Sequence, residues 1–335
     1  MHFHLLIHFA VGTYWSYTRL DYYLRFVLSY SRLATTEISV HSMLAAQALM
    51  HKAWGFPQSS EYRISSPDDI LPIMHAVPSF RNYNIEMDPY TAKLHYLIQS
   101  SRRITIFTGA GISTKSGIPD FRSPKGLWSK LQPIQYQDFV ASPEMRREAW
   151  RRKIVIDEDM RNASPNRGHR AVAELVKSEK CRTVITQNID GLHQASGVPE
   201  QNIVELHGNG TYAVCLECGL RHELGPIFEA FDRGDTLPIC RRCNGIVKAA
   251  TVSFGQSMPE EAMRRSEQSS LECDLFIVLG SSLVVFPAAA FPKIAKSNGA
   301  LLVIVNHEET DQDGIADLTI HREIGQVLGD ATNVD

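Results

Sequence analysis

Ile104-Thr-Ile-Phe-Thr-Gly109-Ala-Gly111-Ile-Ser113-Thr-Lys-Ser-Gly117-Ile-Pro-Asp120-Phe-Arg122-Ser-Pro-Lys-Gly-Leu-Trp128 is the stretch on which the reading of this chain turns. It opens with Ile104 to Thr108, a run with the length and composition of a buried parallel strand. Gly109, Ala110 and Gly111 follow at once, and a helix-compatible segment comes after them. A strand feeding a glycine turn and a helix start presents backbone N–H groups and a positive dipole end to an anion. Glycine suits the turn because a side chain would hold a phosphate away from the backbone. The spacing, Gly-x-Gly with a late Gly117, departs from the usual dinucleotide fingerprint, so the turn alone reads equally well as a tight connector. Its continuation adds Asp120, Phe121 and Arg122: an acid, an aromatic face and a guanidinium suited to a ribose or nicotinamide.

Similar apolar runs recur at 183–186, 274–279 and 301–305, separated by helical patterns. Strands alternating with helices argue for an α/β protein with a doubly wound parallel sheet. Polar or small residues stand at the end of each run: Gln187-Asn188-Ile189-Asp190, Gly280-Ser281-Ser282 and Asn306-His307-Glu308. The carboxyl ends of parallel strands are where open α/β sheets bind ligands. Asp88-Pro89-Tyr90 starts a helix carrying Leu94, Leu97 and Ile98 on one face, and Ser65 to Asp69 reads as a helix cap. Ser164-Pro165-Asn166 reads as an N-cap with proline at the first helical position, opening a helix in which His169 is structural. Residues 133–152 form an aromatic and basic helical stretch, a packed lid or surface helix. Residues 247–256 read as returning to the large sheet.

With 335 residues and 44% apolar content, the chain can bury a sizeable core as one large domain or two. A net charge of −3 leaves no global basic field for nucleic acid. No stretch approaches the ~20 apolar residues of a membrane span. Of six cysteines, four form Cys215-x-x-Cys218 and Cys240-x-x-Cys243. Each pair makes a tight turn, and four thiolates satisfy tetrahedral zinc with no position left for water or substrate, so the zinc is structural and staples a β-ribbon. Such a site belongs to a reducing compartment. Arg241, Arg242 and Lys248 are too few to make the ribbon a nucleic-acid binder. Cys181 and Cys273 read as buried, inert thiols.

Residues 1–60 stand apart. Residues 1–33 are rich in His, Tyr and Leu, with Arg19, Arg25 and Arg32 against Asp21. They read as an amphipathic targeting segment, which would place the protein in the mitochondrial matrix rather than the cytoplasm, or as a surface helix. A third reading is a start assigned too early, with Met43 or Met50 as the true one.

Gly109-Ala110-Gly111-Ile112-Ser113, Ser116 to Arg122, Gln187 to Asp190, Glu205-Leu206-His207-Gly208 and the cysteine pairs occur in an order that resembles the sirtuin family of NAD-dependent protein lysine deacylases. The resemblance spans residues 94–328. Pro133-Ile134-Gln135 and Trp150-x-Arg152 are similar to the class II lineage, and the Tyr-x-x-Arg pair of the class that removes acidic acyl groups is not seen. The resemblance implies a Rossmann-like NAD-binding catalytic domain over 61–210 and 251–330, a zinc-ribbon domain inserted at 211–250, and an extension over 1–60.

It further implies NAD+ as co-substrate. The matching positions are Gly109, Ala110, Gly111, Ser113, Ile118, Asp120, Phe121, Arg122, Trp128, Gln187, Asn188, Ile189, Asp190, Gly280, Ser281, Ser282, Asn306, His307, Glu308 and Ile324. His207 becomes the general base, a role suited to its near-neutral pKa. Asn188 and Asp190 position ribose, nicotinamide and the attacking water. An acyl-lysine peptide pairs as an added strand with Ser253, Phe254 and Gly255 and with Val284 and Val285. The implied products are nicotinamide, O-acyl-ADP-ribose and free lysine. Lys248-Ala249 replaces the family's usual Arg-Pro, and Gln256 its usual acid, which bears on acyl preference and peptide registration. Mono-ADP-ribosyl transfer or NAD hydrolysis on the same site is the alternative activity. A non-catalytic NAD- or nucleic-acid-binding zinc module is the alternative of another class.

Overall fold

The computed structural model of the chain describes residues 87–120 and 132–335. The readings of 1–60, of the cap at 65–69, and of Phe121, Arg122 and Trp128 lie outside the described residues. Helix α1 (Pro89–Ser100) begins as its sequence suggests: the Asp88 carboxylate accepts from the Tyr90 and Thr91 N–H groups, and proline fills the first turn. Strand β1 (Ile104–Thr108) is buried along its whole length.

The segment after β1 is a difference. Two 3-10 turns, Ala110–Ile112 and Thr114–Ser116, stand where a helix start was expected, and Gly117 at φ +92° ends the second. The N–H groups of Gly109 and Gly111 donate instead to the carbonyls of Leu279 and Gly280. Donors committed to a neighbouring chain are lost to a helical ladder, and short 3-10 turns are what remains.

The chain continues through α2 (Tyr136–Ala141), α3 (Pro143–Asn162), α4 (Arg167–Lys177), β2 (Cys181–Thr186), α5 (Leu192–Ala195), β3 (Ile203–Glu205), β4 (Gly208–Cys215), β5 (Arg221–Glu223) and α6 (Leu224–Gly234). It closes with β6 (Val247–Thr251), α7 (Glu260–Glu272), β7 (Leu275–Leu279), α8 (Phe291–Ser297), β8 (Leu301–Val305), β9 (Leu318–Ile320) and α9 (Ile324–Thr332). Helix α4 starts later than read. Asn166, not Ser164, is the N-cap, and His169 at the third helical position accepts the Asn166 N–H in return. This reciprocal pair is the structural role expected of His169.

The large sheet has the order β3-β2-β1-β7-β8-β9, and its pairings are parallel throughout. The direction of winding reverses between β1 and β7, the point at which doubly wound sheets commonly open a crevice at the strands' carboxyl ends. Alternation along β1 sends Ile106 to a core shared with α1, α4 and α9, and Phe107 to a core shared with α8. Both faces are covered, which is why the central strands are continuously apolar.

The second sheet has the order β5-β4-β6. Residues 247–251 belong to it rather than to the large sheet: β6 pairs antiparallel with β4, placing Lys248 opposite Val214 and Val247 opposite Cys215. Cys215 ends β4 and Cys243 lies shortly before β6, so this pairing is what lets the thiols meet. The core of this sheet draws on a helix distant in sequence. Trp150 of α3 is 2% exposed there and meets Phe228 of α6 edge-on at 6.5 Å between ring centroids.

Candidate active site

Two loops meet backbone to backbone at the reversal point. A Cβ on Gly109 would lie 2.6 Å from the Gly280 carbonyl oxygen, and one on Gly111 would lie 2.7 Å from Gly280 Cα. Gly280 itself sits at φ +65°, and a Cβ there would lie 2.6 Å from the Gly111 carbonyl carbon. The glycines of the first loop are therefore required by the second loop, independently of any phosphate.

Held this way, β1 delivers Ser113 into a buried polar cluster. The Ser113 hydroxyl donates to Asp190 Oδ2 at 2.7 Å and accepts from Asn188 Nδ2 at 3.2 Å. The same amide donates to the Gly109 carbonyl at 3.0 Å, and the Leu192 N–H holds the other Asp190 oxygen at 2.9 Å. Asn188 is buried and Asp190 half-buried. Beneath them the Thr108 hydroxyl donates to Thr186 Oγ1 at 2.8 Å and meets His193 Nε2 at 3.0 Å. Thr186 in turn accepts the Asn188 N–H at 3.0 Å.

His193 lies edge-on to His169, with ring centroids 5.2 Å apart. Burial pulls His169 down to about 4, against the pull of the Asp190 carboxylate, and pulls His193 down to about 3. Both rings are neutral near pH 7 and act as shaped polar filling behind the crevice.

His207 follows β3. Its Nδ1 lies 3.0 Å from the Gln187 carbonyl oxygen. A carbonyl only accepts, so Nδ1 carries the proton and the neutral ring keeps its lone pair on Nε2. The Gln187 side chain donates to Ser281 Oγ at 2.7 Å, and the His207 carbonyl accepts the Val252 N–H at 2.8 Å. The imidazole is thus tied to the loop after β2, the backbone of His207 to the residues after β6, and Gln187 in turn to the loop after β7. Two residues earlier, Glu205 accepts from Gln194 Nε2 and Asn209 Nδ2, both at 2.7 Å, and burial raises its pKa.

The remaining sequence-predicted positions divide. Ala110, Ile118 and Asp120 are half-buried along the first loop, and Ser282 is exposed after Ser281. The Ile189 carbonyl accepts the Gly210 N–H at 2.7 Å. Asn306 is buried at the end of β8 and donates to the Glu308 carbonyl at 2.7 Å, while His307 and Glu308 are exposed. Ile324 opens α9 with its side chain in the core, so only its backbone is left for a ligand. Ser253, Phe254 and Gly255 follow β6, with Phe254 42% exposed, and Val284 is 49% exposed beyond β7. Thr108, Thr186, His193 and Glu205 were not singled out in the sequence. A threonine closing both β1 and β2, each just before a polar loop, was the available signal.

The cysteines converge as their spacing predicts. Cys215 and Cys243 sulfurs lie 3.5 Å apart and Cys218 and Cys240 sulfurs 3.6 Å apart, with all four ligand atoms within 4.8 Å of one another. A tetrahedron with Zn–S near 2.3 Å has S–S edges of about 3.8 Å, so the donor set and its size fit zinc.

Comparison with known proteins bears on this arrangement. Residues 109–287 match the model of the Sir2 family. An NAD-dependent protein deacetylase of Rhodopseudomonas palustris is 57% identical over 233 residues, covering 70% of this chain and 92% of that protein. An NAD-dependent protein deacylase 2 of Archaeoglobus fulgidus is 39% identical over 243 residues, covering 72% of this chain and 94% of that protein. Among solved structures, a Sir2 enzyme with p53 peptide and NAD+ has a TM-score of 0.64 at 35% identity, covering 72% of this chain and 96% of that one.

Proposed function

The chain belongs to the Sir2 family, the sirtuins, and from that premise we propose that it is an NAD-dependent protein lysine deacylase acting through His207 at the crevice between β1 and β7. The observation that carries the assignment of the base is the bond from His207 Nδ1 to the Gln187 carbonyl, which fixes the tautomer with the lone pair on Nε2. NAD+, when bound, supplies an electrophilic ribose carbon with nicotinamide as leaving group, and the acceptor for the acyl group. The donor set fits it: hydroxyl, amide and carboxylate groups of Ser113, Asn188 and Asp190 stand at the strand ends where ribose and carboxamide groups are recognised.

Ser113 and Asn188 hold Asp190 in one orientation, and the neutral His169 and His193 behind them keep water out of that wall. Gln187 aligns His207 against Ser281. His207 takes a proton from a ribose hydroxyl, a step helped by a base whose ordinary pKa lies near 6.5. Ala110, Gly111, Ile118, Asp120, Phe121, Arg122 and Trp128 complete the cofactor side, with Gly280 to Ser282 and Asn306 to Glu308 toward its far end. Ser253 to Gly255 and Val284 to Val285 provide two backbone edges between which an extended peptide adds as a strand. Zinc on Cys215, Cys218, Cys240 and Cys243 fixes the small sheet. The thiolates require reducing surroundings, and the cytoplasm is the proposed compartment. A net charge of −3 supports a protein rather than a nucleic-acid partner.

The test is incubation with NAD+ and a panel of acetyl, long-chain, lipoyl and dicarboxylic acyl-lysine peptides, followed by mass spectrometry. Free lysine peptide with O-acyl-ADP-ribose supports the proposal. Nicotinamide release without acyl peptide would make the protein a hydrolase, and ADP-ribose on protein would make it a transferase.

A further inference from the structure

Lys248 places a charge in the interior. It is 4% exposed and lies on β6 opposite Val214. Its Nζ donates to the carbonyl oxygen of Thr251 at 2.5 Å and to that of Ala249 at 3.3 Å. The ammonium also faces the Phe139 ring of α2, 6.0 Å from its centroid. Burial draws its pKa down to about 8, and no carboxylate among the described residues acts against that. An uncompensated buried charge costs several kcal/mol, and a hydrophobe of the same length is cheaper for folding. Packing alone therefore does not explain a lysine here.

What the lysine grips is informative. Thr251 ends β6, and the next residues are tied down in turn. The Val252 N–H donates to the His207 carbonyl at 2.8 Å, the Ser253 N–H to Gln256 Oε1 at 3.1 Å, and the Phe254 carbonyl accepts the Tyr136 N–H at 2.8 Å. Residues 251–254 are thus strung between Lys248, the backbone of His207 and the start of α2. The last two of these, Ser253 and Phe254, begin one of the two edges assigned above to the peptide.

We propose that Lys248 is a positioning residue for the acyl-peptide: its buried ammonium anchors the Thr251 carbonyl and so sets the bearing of residues 252–255 relative to His207. The inference rests on the deacylase reading. It makes Lys248 act on peptide binding and leave NAD+ binding alone, because among the described residues its contacts are with Ala249, Thr251, Phe139 and the facing Val214, none of them in the loops after β1, β7 or β8.

The experiment compares wild type, Lys248→Met and Lys248→Arg by steady-state kinetics against acetyl-lysine peptide and NAD+, with thermal melts and zinc content. Loss of a charge-assisted bond predicts a rise of about tenfold in the peptide KM of Lys248→Met. Its NAD+ KM and zinc content should stay at wild-type values, and its Tm should equal or exceed wild type. Lys248→Arg, which keeps a donor and the charge, should recover most of the peptide KM. A peptide KM within twofold of wild type in Lys248→Met, or a parallel rise in both KM values, overturns the proposal.

Should Lys248→Met fail to fold, pH dependence decides between wild type and Lys248→Arg. Among the described residues the groups facing the ammonium are two carbonyl oxygens of β6, the Phe139 ring of α2 and Val214 on the paired strand β4, none of which titrates. The amine is charged below about 8 and loses that charge above it, so wild-type peptide KM should climb from pH 7.5 to 9 while Lys248→Arg stays flat. Superimposable profiles overturn the proposal. Absence of acyl-dependent turnover in wild type would instead overturn the deacylase reading, so the two failures are distinguishable.

Discussion

Replacing Gly280 with alanine tests whether the crevice is organised by backbone contact between two loops. Gly280 sits at φ +65°, where a Cβ costs about 1–2 kcal/mol in steric strain. The added methyl would also lie 2.6 Å from the Gly111 carbonyl carbon and 2.7 Å from its Cα, and closest of all to the Ile112 nitrogen. These are main-chain atoms, so no side chain can swing aside, and overpacking of this kind costs about 1–3 kcal/mol more. The total is about 3 kcal/mol, and at about 2–4 °C per kcal/mol for a domain of this size Tm should fall by about 6–12 °C. Gly117→Ala is the internal control: it has φ +92° with nothing within 4 Å of the added atom, so strain alone predicts about 1–2 kcal/mol. Calorimetric melts give the stability difference, and NAD+ KM gives the functional one. Displacing Gly111 and Ile112 moves Ser113, whose hydroxyl holds Asp190 at 2.7 Å, so NAD+ KM should rise several-fold only in Gly280→Ala. Equal melting temperatures for the two variants, with unchanged NAD+ KM, would refute the idea that the loops support each other.

His207→Ala should abolish deacylation while leaving melting temperature and zinc content near wild type; retained turnover would remove the base from its assigned role. Cys240→Ser should lower bound zinc, measured by colorimetric release, and unfold the small sheet before the large one, because structural zinc supplies folding energy directly. Acid stability follows from the buried histidines. Their folded pKa values of about 4 and about 3 lie below the ordinary 6.5, so the unfolded chain binds protons that the folded one refuses. The contribution is complete above pH 6.5 and is lost as pH falls toward 4; between pH 7 and 5 the loss is roughly 4 kcal/mol by linkage. Urea titrations should show it, and His193→Gln should remove about half of that slope.

The large sheet was legible because its signal is local. Ile104 to Thr108 and residues 301–305 are apolar runs of strand length, and both proved to be strands. The helix at Pro89 carried its own cap in Asp88, and the cysteine pairs carried their metal geometry in their spacing. Misreadings occurred where a distant partner overrides local preference. Residues 247–251 look like any apolar strand, and only the need to bring Val247 beside Cys215 assigns them to the small sheet. Trp150 is one helical aromatic among several until Phe228 meets it across more than seventy residues of chain.

The site shows the same division. Of the polar residues read at strand ends, the structure joins Asn188 and Asp190 to Ser113, and Gln187 to Ser281, at the carboxyl ends where a parallel sheet binds ligands. What the linear pattern could not convey is which of those residues support one another. Asn188 reads as a ligand for the co-substrate, yet its amide also spans the Gly109 carbonyl and the Ser113 hydroxyl, so its removal disturbs the glycine loop as well as any bound group. Gly109 and Gly111 read as room for phosphate, yet the backbone of Gly280 occupies the space a methyl would take. Residues chosen for binding chemistry are here also the joints of the scaffold. Single substitutions at these positions will therefore couple stability to affinity, and only paired measurements of Tm and KM, as for Gly280 against Gly117, separate the two.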